Sequence, residues 1–314
     1  MASGNQTFYT KFILVGFSDL PQQMQYLVMI VFLILYLSTV LGNVTILLLV
    51  TVDSALQSPM YFFLKNLSIV EIGFITTTVP NMLYGFFTGD RGISLLACAA
   101  QMYIFLMFGA TECFLLLLMS YDRYMAICKP LRYTQIMTQQ RCLQLAATAW
   151  STCVVMQFVQ TSLIFISPFC VSSTIPHYFC DISPVLQLSC SDVSLNNMLM
   201  FAASAVFLLI PFLVTILSYV FIITTILKIR SEAGRRRAFS TCASHLTSVT
   251  LFFGTAMLNY LRPSSNYSLQ KDRVFVLCFN FVTPVLNPVI YSLRNSEVKG
   301  ALKRQIEKLR AIYF

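Results

Sequence analysis

The sequence predicts an all-α membrane protein, a seven-transmembrane helix bundle followed by a short amphipathic C-terminal helix. Three observations predict it. Hydrophobic residues make up 57% of the 314 and charged residues only 11%, with a mean hydropathy of +0.74, more apolar surface than a soluble core of this size can hide. Apolar stretches long enough to cross a bilayer recur seven times along the chain. Of the 21 Lys and Arg, sixteen fall in the segments on one side of those stretches and five on the other, which sets the basic face inside and the N-terminus outside. The net charge of +9 therefore reports orientation and contact with anionic lipid, with no need for nucleic acid as a partner.

Three regions follow: an extracellular N-terminus (1–25), a transmembrane domain (26–293) and a cytoplasmic amphipathic helix and tail (294–314). The first region is polar and carries Asn5-Gln6-Thr7, an acceptor triplet for N-glycosylation that works only on the outer side. Apolar sequence begins only after Gln25, so the first span is expected to act as a signal anchor. That span, Tyr26 to Val50, is interrupted by Gly42-Asn43, and an Asn at mid-membrane requires an interhelical hydrogen bond. A polar turn from Asp53 to Ser58 leads to the second span, Pro59 to about Phe86. Pro59 suits a first helical turn, Pro80 kinks the outer half, and Glu71 is an acid at a depth that asks for a partner.

The third span starts near Cys98 and ends in Met119-Ser120-Tyr121-Asp122-Arg123-Tyr124. From Cys98 to Arg123 it is roughly 37 Å long at about 1.5 Å per residue, and it carries a second buried acid, Glu112. Asp122 and Arg123 stand at its inner rim, where the two charges can pair. After a basic loop, Arg141 to about Phe165 gives the fourth span. A long outer segment, Ile166 to Asn196, then holds Cys170, Cys180 and Cys190. With Cys98 these four cysteines can close into two disulfides in three ways. Cys98 with Cys180 and Cys170 with Cys190 is the pairing expected, four free thiols being the alternative.

The fifth span, Asn197 to Leu227, contains Pro211 as a kink. The sixth, about Ala238 to Leu261, follows a strongly basic turn, and the seventh runs from about Arg273 to Leu293. Two prolines, Pro284 and Pro288, flank Asn287 and mark the seventh as bent and polar-lined. Beyond it Val298, Leu302, Ile306 and Leu309 recur at helical intervals among basic residues, the pattern of a helix lying on the inner leaflet.

No enzyme signature is present: there is no Gly-x-Ser-x-Gly, no His-Glu-x-x-His and no phosphate-binding glycine loop. An ion path or an acid dyad built on Glu71 and Glu112 is the second class of function, and the internal repeats that would favour a transporter are not evident.

Leu41-Gly42-Asn43, Pro59 to Asn66, Met119 to Tyr133, Ser218-Tyr219, Phe239 to Leu246 and Pro284 to Asn295, in this order and spacing, resemble an odorant receptor of the rhodopsin-like G-protein-coupled receptors. The three-cysteine outer loop is similar to that of the tetrapod-type, class II branch. The resemblance implies a receptor that binds small, mostly hydrophobic volatiles and activates a stimulatory, olfactory-type G protein to raise cyclic AMP. It implies a switch at Asp122-Arg123-Tyr124, with Arg123 held by Asp122 at rest and Tyr219, His245 and Tyr291 rearranging around it.

It also implies an odorant pocket between the third, fifth and sixth spans, at Met102, Phe105, Leu106, Gly109 and Ala110, at Ala203, Ser204 and Phe207, and at Phe253, Met257 and Tyr260. Hydrogen bonds to ligand are expected from Ser204, Tyr260 or Gln101. Phe253 departs from the tyrosine common in the family. Phe105 stands where an amine ligand would want an acid, and Lys271 precedes the seventh span, so neither an amine nor a retinal chromophore fits. Glu71 and Glu112, with Asn43, Thr283 and Asn287 nearby, resemble a sodium pocket. Two carboxylates in one dry site hold either a sodium ion or a proton, and no other cofactor is required.

Overall fold

The structure is a computed structural model that describes residues 9–261, 274–293 and 296–313. Asn5, and the outer loop carrying Arg262, Lys271 and Arg273, lie outside the described residues. Helices dominate: α1 (Gln22–Val52), α2 (Pro59–Thr88), α3 (Leu95–Cys128), α4 (Pro130–Ile136), α5 (Gln139–Phe165) and the short α6 (Ile182–Leu186). They are followed by α7 (Ser194–Ser204), α8 (Ile210–Leu227), α9 (Glu232–Tyr260), α10 (Thr283–Leu293) and α11 (Ser296–Tyr313). Six helical stretches, with α7 and α8 counted as one, are long and apolar enough to cross a membrane. The sixth span, α9, is the exception on composition. It is 29 residues long, but beyond the arginines of its first turns Ser240, Ser244, His245, Thr247, Ser248 and Thr250 keep its hydropathy low.

The helix ends have local causes. Pro59 opens α2 where its missing N–H costs nothing, and Gly89 closes it at a φ of +73°, a conformation that glycine adopts without strain. Ser94, Thr138 and Ser231 accept hydrogen bonds from the first turns of α3, α5 and α9. The fifth span does not simply kink at Pro211. Ala205–Leu209 widens into a π-turn between α7 and α8, and a second π-turn, Cys278–Val282, precedes Pro284 at the start of α10. A proline ring collides with the carbonyl four residues back, and a wider turn moves that carbonyl aside.

The segment read as a polar N-terminus contains structure that its composition did not announce. α1 already begins at Gln22, within that segment, and Lys11–Leu14 forms a strand, β1. β1 lies between β2 (Gly92–Ser94), to which it is antiparallel, and β3 (Thr174–Ile175), to which it is parallel. Phe12 and Leu14 point into a small roof core with Met102, Phe169, Ile175 and Ile182, while Ile13 faces outward. The cysteines beneath are joined as Cys98–Cys180 and Cys170–Cys190, with Cα atoms 5.5 Å and 5.7 Å apart. Asn280 donates to the Tyr178 hydroxyl at 2.6 Å, and so fastens the roof to the seventh span.

At the opposite, basic end α11 is clamped to the bundle. Arg304 makes two 3.0 Å hydrogen bonds to the Asp53 carboxylate, which holds that carboxyl below its usual range, and Tyr61 donates to Glu297 at 2.7 Å. Val298 and Ala301 are buried against the spans while Leu302 and Ile306 stay exposed, the division an interfacial helix requires.

Asp181, beside the disulfide, is only 5% exposed and accepts a hydrogen bond from the Ile182 backbone at 2.8 Å. Burial pushes its carboxyl up from 3.8 to about 6. The folded state then holds a proton that the unfolded chain has released, so the contribution of this group to stability falls as pH rises from 3.8 to about 6. Asp181→Asn keeps the acceptor and removes the charge. Thermal melts of purified protein are expected to show a higher midpoint for the variant at neutral pH, and a flatter dependence across that window.

Candidate functional site

Beneath the roof lies a cavity walled by α2, α3, α5, α6, α7, α9 and both π-turns. The third span supplies Phe105, Leu106, Gly109, Ala110 and Cys113, and the two smallest of these leave the room. Ala203 and Ser204 enter from α7, and the following π-turn aims Phe207 and Leu208 inward. Phe74 stacks on Phe105 at 4.5 Å, and Phe279 meets Phe252 at 5.7 Å and Tyr260 at 5.6 Å, so the floor is aromatic.

Three residues expected in the pocket do not line it. Met102 belongs to the roof core, Phe253 packs against Phe212 at 5.4 Å, and Met257 packs into the main core. On α9 the inward row is Phe252, Ala256 and Tyr260, spaced by four. Residues 253 and 257 stand about 100° further round the helix. Gln101 is already engaged, since its amide donates to the Thr77 carbonyl at 3.0 Å and accepts from the Cys180 N–H at 2.9 Å. It braces the roof. Ser204 donates to the Met200 carbonyl at 2.9 Å, whereas the buried Tyr260 hydroxyl has no protein partner. Gln157 and Gln160 of the fourth span also line the cavity. Sequence reasoning placed no wall there, although Gln157 interrupts a buried row of mostly small and apolar residues on α5, a signal that was open to reading.

Below the cavity floor runs a chain of buried polar groups. Asn287 donates a short hydrogen bond to Glu71, and Ser248 donates to Asn287 at 2.5 Å. Asn43 donates to the Thr39 carbonyl of its own helix at 3.2 Å. Glu112 is fully buried with Glu71 as its charged neighbour, and both its oxygens lack a hydrogen-bond partner, as do Glu71 Oε2 and Thr283 Oγ1. Glu71 is in direct contact with Asn287, and Asn43 is a second hydrogen-bonding neighbour of its carboxyl. Among the described residues no group of three or more His, Cys, Asp or Glu side chains is arranged to hold a metal ion.

At the basic end the expected Asp122–Arg123 pair is not formed. Asp122 instead accepts from the Tyr133 hydroxyl of α4 at 2.8 Å, and no ion pair joins it to Arg123 among the described residues. The acid turns toward α4, and the Arg123 charge acts on it from the inner rim without bonding to it. There Arg123 is the charged neighbour of Tyr219, His245 and Tyr291. Tyr124 packs on Phe221.

His245 is fully buried and bridges three spans. Its Nε2 lies 3.1 Å from the Leu116 carbonyl of α3, and its Nδ1 lies 2.7 Å from the Tyr219 hydroxyl of α8. A carbonyl only accepts, so Nε2 carries the proton and Nδ1 accepts from Tyr219. Tyr291 is buried beside them, its hydroxyl without a partner.

The olfactory receptor family model matches residues 32–308. Human olfactory receptor 10C1 is 53% identical over 306 residues, 98% of each chain. Human olfactory receptor 10A4 is 49% identical over 304 residues, covering 97% of this chain and 96% of its own, and 10A5 is 47% identical over 312, covering 99% and 98%. Among solved structures, squid rhodopsin superposes with a TM-score of 0.74 at 18% identity, over 91% of this chain and 81% of its own, a likeness of fold. With a helical bundle of this form and relatives matched nearly end to end, the chain belongs to the olfactory receptor family.

Proposed function

We propose that the cavity beneath the roof binds a small, mostly hydrophobic odorant, and that binding activates a stimulatory, olfactory-type G protein to raise cyclic AMP. The observation that carries this reading is the placement of an apolar cavity and the His245 bridge on the same helix, α9. A ligand touching Phe252, Ala256 and Tyr260 that favours an outward position of α9 works against the two hydrogen bonds of His245. Their loss frees the inner end of α9, and Arg123 becomes available to the G protein. Orientation follows from charge. The basic end faces the cytoplasm and the roof faces outside, in the plasma membrane, with Asn5 as the glycan acceptor.

In this reading Glu71 and Glu112 share a sodium ion or a proton. The partnerless oxygens of Glu71, Glu112 and Thr283 fit a hard cation, which prefers oxygen ligands. Asn287 and Asn43 orient the carboxylates.

The test is cyclic AMP in cells expressing the chain with a panel of volatiles. An odorant-dependent rise is expected, abolished by Arg123→Ala and by removal of the stimulatory G protein. A response that survives without the G protein overturns the mechanism. His245→Phe keeps the ring and deletes both hydrogen bonds, worth about 1 kcal/mol each, so basal cyclic AMP is expected to rise roughly tenfold or more. An unchanged basal level at equal surface expression would remove His245 from the switch. For the acids, replacing choline chloride by sodium chloride at fixed ionic strength is expected to raise the melting midpoint of the native protein and leave Glu112→Gln unmoved. A midpoint that follows pH and ignores sodium assigns a proton instead.

A further inference from the structure

The fourth span contributes a wall that the general description of the pocket leaves out. The buried face of α5 runs Cys142, Ala146, Ala149, Cys153, Gln157, Thr161 and Ile164, mostly small or apolar side chains packed against α2 and α3. Gln157 breaks that run at the level of the cavity. It is 4% exposed, lines the cavity, and its Oε1 has no hydrogen-bond partner. A polar side chain in a membrane helix ordinarily bonds across to a neighbouring helix, and here no helix answers it. An acceptor left unpaired in such a place is destabilising, and a ligand can remove that penalty by presenting a donor.

The other polar groups at the cavity do not compete equally. Ser204 is tied to the Met200 carbonyl and Gln160 is only half-buried, while Tyr260 Oη, on α9, is likewise without a hydrogen-bond partner. Aromatic and aliphatic carbon forms most of the remaining wall. The complementary ligand is therefore an apolar body bearing a hydroxyl, which can donate to the amide oxygen and accept from the amide N–H at the same time.

We propose that Gln157 reads a hydroxyl group on the ligand, so that this cavity selects alcohols and phenols over ethers and hydrocarbons of the same shape. This deepens the assignment of the cavity as the odorant site and rests on it. Selectivity of this kind is steep, because an analogue without the hydroxyl leaves the buried amide unpaired, whereas one methylene more or less changes affinity only modestly.

Isomeric pairs test it: octan-1-ol against heptyl methyl ether, and 2-phenylethanol against benzyl methyl ether. Binding is read on the purified full chain as the probe concentration needed to shift its melting midpoint, and signalling is read separately as cyclic AMP. At least one alcohol is expected to bind about tenfold or more tightly than its ether. Gln157→Leu, and Gln157→Met as a second apolar variant, are expected to erase that preference by weakening the alcohol while leaving the ether within about twofold. Melting of the unliganded variants checks that both fold. Equal binding of alcohol and ether by the native chain, an equal loss of both on substitution, or no binding of any of the four probes overturns the proposal. Alcohol binding that depends on Gln157 but raises no cyclic AMP supports it, and the coupling to the G protein is then what fails.

Discussion

A carboxyl group in the middle of a hydrocarbon slab has to be answered from within the protein, and two of them organise this bundle. Glu71 on α2 is answered by Asn287, and Asn287 is held by Ser248 of α9. Glu112 on α3 faces the same site and keeps both oxygens free of hydrogen bonds within the protein. Water cannot reach such groups at that depth, so each helix that brings one must bring a partner or accept a bound ion or proton. The mutual positions of α2, α3, α9 and α10 are specified by this requirement more narrowly than by interchangeable apolar contacts.

The sixth span turns that constraint into a line of communication. Along one stripe of α9, at intervals of three or four residues, stand His245, Ser248, Phe252, Ala256 and Tyr260. The first bridges α3 and α8, the second belongs to the carboxylate site, and the last three face the cavity. A rigid helix cannot adjust one of these without disturbing the others. Events at the cavity and at the basic end are therefore coupled through a single packed element, the kind of two-position body on which allosteric coupling relies.

Much of the architecture was legible because the bilayer simplifies the reading. Backbone groups with no water must form helices, so apolar runs report spans directly, and the Lys and Arg count reports sidedness. What escaped the sequence depended on tertiary geometry. β1 is four residues long with a lysine at its start, and nothing local reveals that two distant loops will flank it. The inward row of α9 was displaced by one position, from Phe253 and Met257 to Phe252 and Ala256, because those positions were carried over from the family resemblance, which does not fix how far this helix is turned. Asp122 turned to Tyr133 because adjacency along a helix is not adjacency in space. Gln157 went unassigned, although an amide among small apolar residues is the irregularity by which a binding site betrays itself.

The strand β1 lies between segments that the chain supplies at very different times. Ile13 pairs with Gly92 on one side and with Thr174 on the other, and the disulfide beneath joins cysteines 82 residues apart. Contacts of such separation form slowly, since the intervening chain must first be ordered. During synthesis the N-terminal strand emerges first, its partner β2 follows two spans later, and the edge that pairs with β3 stays open until four spans have emerged. Until then an open strand edge and the apolar side chains of Phe12 and Leu14 stand uncovered, the features by which unfinished proteins aggregate or are detained. The roof therefore joins segments from three distant parts of the chain, and it cannot be complete before the loop after the fourth span is in place.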